Sequence, residues 1–150
     1  PPDRPELTHL LQAAFPATAR LSLCVAHHAN QGLSASLSAG VTYAEERSAD
    51  AALVCLADMP LVSTALINQL IATQRTAHPP PAAAPALGTR LGNPVIWHKN
   101  QFPALKAVTG DKGGRTILAD LGQQVRALPA DPAELVDFDT PERLATFARL

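Results

Sequence analysis

The sequence predicts an α/β sandwich with a mostly parallel sheet. Short, wholly apolar runs of strand length alternate with longer segments whose apolar residues recur at helical spacing. Apolar residues make up 47% of the 150 residues and charged residues 17%, which is typical of a globular protein. A chain of this length buries about 68–70% of the surface that its unfolded form exposes. We therefore expect one domain with a substantial core over residues 1–150.

The predicted helices and strands follow one another in a regular order. Ser63 or Thr64 is a suitable N-cap for the third helix, and Pro141 suits the first turn of the last one. Four prolines predict an extended loop at 78–85. Apolar runs predict strands at 21–26, 51–57, 94–97, 125–128 and 135–136. Helical spacing predicts helices at 6–14, 34–44, 63–75, 102–108, 116–121 and 140–150.

Charge and hydropathy exclude two classes of partner. Twelve Lys and Arg against 13 Asp and Glu give a net charge of −1, whereas proteins that grip nucleic acids through phosphates usually carry a basic surplus. No apolar run approaches the ~20 residues of a membrane-spanning helix. We expect a cytoplasmic protein that binds neither nucleic acid nor membrane. Cys24 and Cys55 lie in apolar runs without metal-binding spacing, so we expect reduced, packed thiols.

An acidic residue, Asp58, directly follows the apolar run 51–57. In a parallel sheet, ligands bind beyond the carboxyl ends of the strands, which is where this residue is expected. Its carboxylate could hold Mg²⁺, a hard cation that prefers oxygen ligands and usually keeps substrate phosphates as co-ligands. It could equally well cap the next helix or accept from the amides of the turn. The local pattern leaves both interpretations open.

A second pair of acids, Asp137 and Asp139, follows the predicted strand 135–136. Strand alternation allows both side chains to face the same side. Thr140 suits the N-cap of the last helix, and such a cap needs only one of the two acids. The other carboxylate could therefore meet Asp58 over one metal ion.

Two glycine-containing stretches are candidate ligand loops. The segment 32–40 carries several serines at a predicted helix start, where free N–H groups and hydroxyls could meet an anion or a nucleobase edge. Ordinary helix capping is the simpler alternative there. The segment 109–115 has three glycines, one acid and two bases, a composition that adds nothing to a core. It predicts either a loop around a charged ligand, with Arg115 on a phosphate, or an exposed connection.

In their order along the chain, five segments resemble the nucleotidyltransferase family that includes the molybdenum cofactor cytidylyltransferases and guanylyltransferases. The resemblance runs from about Gly32 to the C-terminus. The fourth segment and the closing Asp-Thr-Pro element are more similar to the cytidylyltransferase branch than to the sugar-phosphate branches. The five segments are GLSASLSAG (32–40), LVCLADMPLV (53–62), GNPVIW (92–97), GDKGGR (110–115) and VDFDTPERL (136–144).

The resemblance implies a Rossmann-like, three-layer α/β/α domain that transfers CMP from CTP to molybdopterin or its molybdenum form and releases pyrophosphate. Asp58 would hold the catalytic Mg²⁺ and Asp139 would complete its coordination, which places their carboxylates within about 6 Å of each other. The remaining implied roles fall on two sides of the site. Gly32, Ser34 and Ser36 would contact the nucleotide, and Asn93, Asp111 and Arg115 would contact the acceptor.

One departure from the family pattern keeps other functions open. The family opens with a glycine-rich LAAGxSxRMG-type loop followed by a lysine, and nothing similar precedes Gly32. We therefore expect a domain that lacks its N-terminal strands and is not the whole catalytic unit. A non-catalytic protein that binds nucleotide or cofactor for a molybdoenzyme is one alternative. A guanylyltransferase that uses GTP, or a sugar-1-phosphate nucleotidyltransferase, is another.

Overall fold

The structure, a computed structural model, describes residues 9–10, 13–14, 22, 24–26, 32–110 and 113–147. It divides into two compact units, one from the described residues of 1–48 and 102–117, the other from those of 49–101 and 118–150. The helices are α1 (Leu33–Glu46), α2 (Thr64–Gln74), α3 (Phe102–Ala107), α4 (Arg115–Leu121) and α5 (Pro141–Phe147). The strands are β1 (Ala51–Val54), β2 (Ala82–Leu87), β3 (Arg90–Leu91), β4 (Val95–His98) and β5 (Val125–Pro129). Short 3₁₀ turns cover Lys99–Gln101, Gly122–Gln124 and Pro132–Leu135.

The first unit is built on the packing of α1 against α3. Val41 of α1 and Phe102 and Leu105 of α3 are almost fully buried. Burying one such side chain contributes about 1.5–3 kcal/mol, so these three contacts fix the two helices against each other. An ion pair between Lys106 and Glu45 adds a polar contact at the same interface.

The second unit contains the whole sheet, in the order β1–β4–β2, with β3 and β5 also paired to β2. β1 pairs antiparallel with β4, β4 pairs antiparallel with β2, and β5 pairs parallel with β2. β1, β2 and β5 consequently run in one direction. Their carboxyl ends, together with the start of β4, lie at one edge of the sheet.

The predicted α/β class is confirmed, with one correction to the predicted sheet. Three of its strands share a direction as expected, but the hydrogen-bonded pairs are mixed because β3 and β4 run the opposite way. The reason is the connection after β2, which turns back through Gly88 and Thr89 alone. A parallel neighbour would require a crossover of a dozen or more residues. Gly88 takes a φ of +62°, a conformation that glycine adopts without steric cost.

The predicted loop at 78–85 is wrong in its second half, where β2 begins. Proline is normally excluded from central strands because it lacks the N–H that the ladder needs. Here the Pro85 carbonyl accepts from Gly92 N–H at 2.8 Å, and residues 84–85 of β2 stand opposite residues 92–95 of the returning chain. This bulge interrupts the regular ladder beside Pro85, so its missing donor leaves no gap.

Two other sequence predictions need correction. The predicted strand at 135–136 is absent from the described residues, because Leu135 belongs to the 3₁₀ turn Pro132–Leu135, which Asp131 caps. Cys24 and Cys55 are free thiols, as expected, but both are exposed. Of the predicted strand at 21–26, the described residues carry no strand assignment.

The core of the second unit lies between α2 and the sheet. Leu66 and Leu70 of α2 pack with Ala83 of β2 and Ile96 of β4, and all four are buried. Trp97 is 2% exposed and stands opposite the small residue Ala82 in the β2–β4 register, so the small side chain makes room for the large one. Within the described residues, no helix combines the length and apolar character that a membrane crossing requires.

Candidate functional site

Three segments meet at the carboxyl edge of the sheet in the second unit: the turn after β1, the connection between β3 and β4, and the segment after β5. Phe138 N–H donates to the main-chain oxygen of Asp58 across 2.7 Å, which joins the segment after β5 to the turn after β1. A Cβ added at Gly92 would lie 3.3 Å from Leu135 Cδ1, so the connection between β3 and β4 also contacts the segment after β5. Each segment carries one residue predicted for the site. These are Asp58, Asn93 and Asp139.

Asp58 sits in a tight turn that the preceding strand and the following helix hold in place. Met59 N–H donates to Leu56 O at 3.3 Å and closes the turn around Asp58. The Asp58 Oδ1 atom is buried and has no hydrogen-bond partner among the residues that the structure describes. Most buried polar atoms in proteins are paired, so an unpaired carboxylate oxygen requires an explanation. A cation or a substrate donor at this oxygen would supply one.

The loop that follows Asp58 is tied to the segment after β5 a second time. Ser63 Oγ accepts from Leu66 N–H at 3.1 Å, which confirms the predicted N-cap of α2. Ser63 N–H in turn donates to Glu134 Oε1 at 3.3 Å, across 71 positions in the sequence. Two hydrogen bonds of long sequence separation therefore fix the Asp58 loop against the residues that lead to Asp139.

Asp139 is exposed and lies in a small network of charges. Arg143, one turn further along α5, forms an ion pair with Asp137 and also lies 3.7 Å from Asp139 Oδ1. The Arg143 guanidinium donates to the main-chain oxygen of Asp137 as well, at 3.1 Å. Thr140 Oγ1 accepts from Arg143 N–H at 3.3 Å and caps α5 as predicted. The cap and the ion pairs together hold the two acids at the start of α5.

These acids line an open pocket of about 590 Å³. Its wall combines two carboxylates, two guanidinium groups, a hydroxyl and apolar side chains from the segment after β5. The pocket is polar and open to solvent, which suits a charged ligand better than an apolar one. The charged and hydroxyl residues of the wall are Arg90, Asp137, Asp139, Thr140 and Arg143.

Asp139 lines the pocket with an exposed carboxylate, whereas Asp58 is not among the lining residues. Both carry the oxygen donors that Mg²⁺ prefers, and Mg²⁺ is typically bound by one or two carboxylates plus substrate phosphates. No group of three His, Cys, Asp or Glu side chains converges among the described residues. A dedicated all-protein cage, as in a structural zinc site, is therefore not present in that part of the chain.

In the first unit, the predicted nucleotide contacts lie at the start of α1. Gly32 is the N-cap residue with φ +103°, which favours glycine, and it has no side chain with which to cap the helix. Ser36 is exposed, whereas Ser34 is only 5% exposed. Ser36 is therefore accessible to a ligand in this conformation, and Ser34 is covered.

The glycine-rich segment 110–115 is described at both of its ends. Gly110 and Gly113 have φ values of +71° and +53°, which explains why glycine occupies both positions. A Cβ at Gly113 would lie 3.2 Å from Leu33 Cδ2, so the end of this loop lies against the start of α1. Arg115 is exposed at the start of α4. Asp111 lies outside the described residues.

The site contains three residues that the sequence did not single out. Arg143 stands four positions after Asp139 in a predicted helix, a spacing that could have revealed the pair. Arg90 lies two residues before Gly92, and only the hairpin geometry brings it to the pocket wall. Glu134 contacts Ser63 across the sheet edge, and no local pattern signals that contact.

Comparisons with known proteins point to one family. Residues 4–127 match the family described as the MobA-like NTP transferase domain. This range includes Asp58 and Asn93 and ends before Asp139. The purine catabolism protein PucB of Bacillus subtilis (strain 168) is 35% identical over 131 residues, which cover 86% of this chain and 62% of PucB. The chain thus spans less than two thirds of that relative.

Solved structures show the same fold. Rv0371c from Mycobacterium tuberculosis H37Rv superimposes with a TM-score of 0.70 at 20% identity, over 95% of this chain and 72% of the other. The structure of Rv0371c in complex with manganese gives a TM-score of 0.67 at 21% identity, with the same coverage. A homologue from Mycobacterium sp. strain JC1 gives 0.62 at 24% identity, over 87% of this chain and 59% of the other. The predicted Rossmann-like nucleotidyltransferase fold is confirmed.

Proposed function

The chain belongs to the MobA-like NTP transferase domain family, and on that premise we propose that it takes part in metal-dependent nucleotidyl transfer. The proposed reaction transfers CMP from CTP to molybdopterin or its molybdenum form, with release of pyrophosphate. Family membership supports a nucleoside triphosphate as one substrate. The choice of CTP follows the resemblance of the segments 110–115 and 136–144 to the cytidylyltransferase branch.

One observation carries the proposal: Asp58 has a buried carboxylate oxygen with no partner in the described part of the chain, and its backbone accepts a hydrogen bond from the acidic segment after β5. Removing a carboxylate oxygen from water without a partner is costly. A protein built only for stability would place an apolar or a paired side chain there. The arrangement is accounted for if Asp58 and Asp139 share a divalent cation when substrate is bound.

The chemistry required of these residues is positioning and charge neutralisation. Mg²⁺, when bound, would supply a positive charge opposite the charge that develops on the α-phosphate. Asp58 and Asp139 would hold it, and the acceptor phosphate would attack in line as pyrophosphate leaves. A structure of one relative, Rv0371c, contains manganese, which supports a divalent cation of this kind. In this proposal Gly32 and Ser36 contact the nucleotide, and Asn93, Asp111 and Arg115 contact the acceptor. Ser34 is covered and is given no contact.

The reaction can be tested by pyrophosphate release from the intact protein with molybdopterin as acceptor. CTP, GTP and ATP are compared in parallel, each with Mg²⁺ and with Mg²⁺ removed by a chelator. We expect release with CTP, little with ATP, and none without the metal. Absence of release with every nucleotide would overturn the proposed activity.

A second candidate is a non-catalytic protein that binds nucleotide or cofactor for a molybdoenzyme. It is favoured by the name of PucB, a purine catabolism protein rather than a named transferase. The two candidates differ in turnover, not in binding. Tight binding of Mg²⁺-CTP by the intact protein, without pyrophosphate release in the presence of acceptor, would favour the second.

A further inference from the structure

The pocket wall described above contains two guanidinium groups that differ in their partners. Arg143 is committed to Asp137 through its ion pair and through the main-chain oxygen of that residue, and it lies 3.7 Å from Asp139. No ion pair of Arg90 is formed within the described part of the chain. The wall therefore holds two acids that share one guanidinium, beside an arginine that has no ion-pair partner among the described residues.

Arg90 is presented to the pocket by a constrained backbone. It pairs with Leu87 across the two-residue turn that begins at Gly88, and the next pair is Leu91 with Ala86. Its side chain is exposed, so the guanidinium retains access to solvent and to a ligand. Binding residues held by regular elements are positioned more accurately than residues on loops.

We infer that Arg90 is a phosphate-binding residue of this pocket, next to the metal ligand Asp139. A planar guanidinium matches the geometry of phosphate oxygens and can bind two of them at once. An exposed arginine is commonly only solvated. This one lines the open pocket without a carboxylate partner among the described residues, and the two acids beside it share the guanidinium of Arg143. The inference rests on the proposed function for the role of Asp139.

The phosphate could belong to the acceptor or to the nucleotide. Arg90 stands three positions before Asn93 in the chain that returns from β2, and Asn93 is proposed to lie on the acceptor side. We therefore assign Arg90 to the phosphate group of the acceptor. The nucleotide phosphates are the other source of the same chemistry, and the two are separable by experiment.

Calorimetric titration of the intact protein tests the assignment with two probes, inorganic phosphate in the presence of saturating Mn²⁺ and the Mn²⁺-CTP complex. We expect Arg90→Gln to weaken phosphate binding by about tenfold. Arg90→Lys should weaken it less, because lysine keeps the positive charge and loses only the ability of a guanidinium to bind two phosphate oxygens at once. The matched control is Arg126→Gln, an exposed arginine of β5 in the same unit that does not line the pocket. It should leave both affinities unchanged.

The two titrations distinguish a phosphate of the acceptor from a phosphate of the nucleotide. They also distinguish the assignment of Arg90 from the proposed activity. A loss with phosphate alone assigns Arg90 to the acceptor, and a loss with Mn²⁺-CTP assigns it to the nucleotide. Equal affinities for wild type and Arg90→Gln, equal losses in Arg90→Gln and Arg126→Gln, or no phosphate binding by the wild type would overturn the inference. Failure to release pyrophosphate would overturn the proposed activity alone, because these titrations require no turnover.

Discussion

The turn after β1 and the segment after β5 lie at the same edge of one sheet, yet their carboxylates differ in burial and in hydrogen-bond partners. In the turn after β1, Asp58 has a buried carboxylate oxygen for which the described residues provide no partner. In the second, Asp137 and Asp139 are exposed and share the guanidinium of Arg143. A hydrogen bond from Phe138 N–H to the main-chain oxygen of Asp58 links the two segments, and a second one runs from Ser63 N–H to Glu134 Oε1.

Asp58 is thus retained despite the cost of its unpaired oxygen, whereas the fold already pairs Asp137 and Asp139 with one shared guanidinium. Exposed ion pairs contribute about 0–1 kcal/mol, so Arg143 adds little to stability and can yield to a competing cation. An unpaired buried oxygen costs about 1–3 kcal/mol, and more when charged. Such a cost at Asp58 is consistent with a ligand that is supplied from outside. The segment after β5 would then complete a site that the turn after β1 begins.

Replacing Asp58 should have the largest effect on activity and a contrasting effect on stability. Asp58→Asn keeps the shape of the side chain but removes the charge proposed to hold the cation. We expect pyrophosphate release to fall by about 10²-fold or more, while the midpoint of thermal unfolding does not decrease. Asp120→Asn, an exposed position on α4, is the matched control and should change neither quantity. A large drop in the unfolding midpoint of Asp58→Asn would show that Asp58 has a structural role instead.

Removing either of the two helix caps that follow these acids should have an effect of intermediate size on the free energy of unfolding. Ser63→Ala removes the cap of the 11-residue α2, which packs on the core, and should cost about 1 kcal/mol of the free energy of unfolding. Thr140→Ala removes the cap of the exposed, seven-residue α5 and should cost less. Urea unfolding of both variants measures the difference. A larger cost for Thr140→Ala would mean that α5 contributes more to the fold than its exposure indicates.

Removing Arg143 tests the same comparison at the acids of the segment after β5. Arg143→Gln frees Asp139 from a competing positive charge, and we expect Mn²⁺ binding in the presence of CTP to tighten by about two- to fivefold. Electron paramagnetic resonance of free Mn²⁺ measures this affinity directly. A weaker affinity in the variant would indicate that Arg143 positions Asp139 for the metal rather than competing with it.

The smallest effect is expected at an ion pair remote from the acidic segments. The hydrogen bond and charge of Lys99, 2.8 Å away, lower the pKa of the Asp50 carboxyl. Because the folded pKa lies below the ordinary value, the stabilisation is present above that ordinary value and is lost as pH falls through the folded pKa. Wild type should be only slightly more stable than Asp50→Asn at neutral pH, and the difference should vanish in acid. A difference that grows on acidification would contradict this sign.

The sequence predicted the helix caps and strands that depend on neighbouring residues. It did not predict the elements that depend on contacts with distant parts of the chain. Ser63 and Thr140 have the residue type and position of an N-cap, and both caps form. The apolar run before Asp58 predicted β1 correctly, although the strand ends earlier than expected. The strand β2 was missed because Pro85 is acceptable only beside a bulge that another part of the chain provides.

Part of the candidate site was predictable for the same reason. Asp58 follows an apolar run and Asp139 directly precedes a helix cap, and both patterns are visible in the sequence. The contact of Glu134 with Ser63 spans 71 positions, and Arg90 reaches the pocket only through the β2–β3 hairpin. Such contacts depend on the register of the sheet, which single-residue patterns do not encode.

The central claim, that Asp58 and Asp139 share one divalent cation, is tested most directly by a double-mutant cycle on Mn²⁺ affinity. Binding of Mn²⁺ in the presence of CTP is measured by electron paramagnetic resonance for wild type, Asp58→Asn, Asp139→Asn and the double variant. We predict that each single change weakens binding at least about tenfold, and that the double change costs clearly less than the sum of the two free-energy losses. Additive losses, or a single variant that binds like wild type, would contradict a shared metal site.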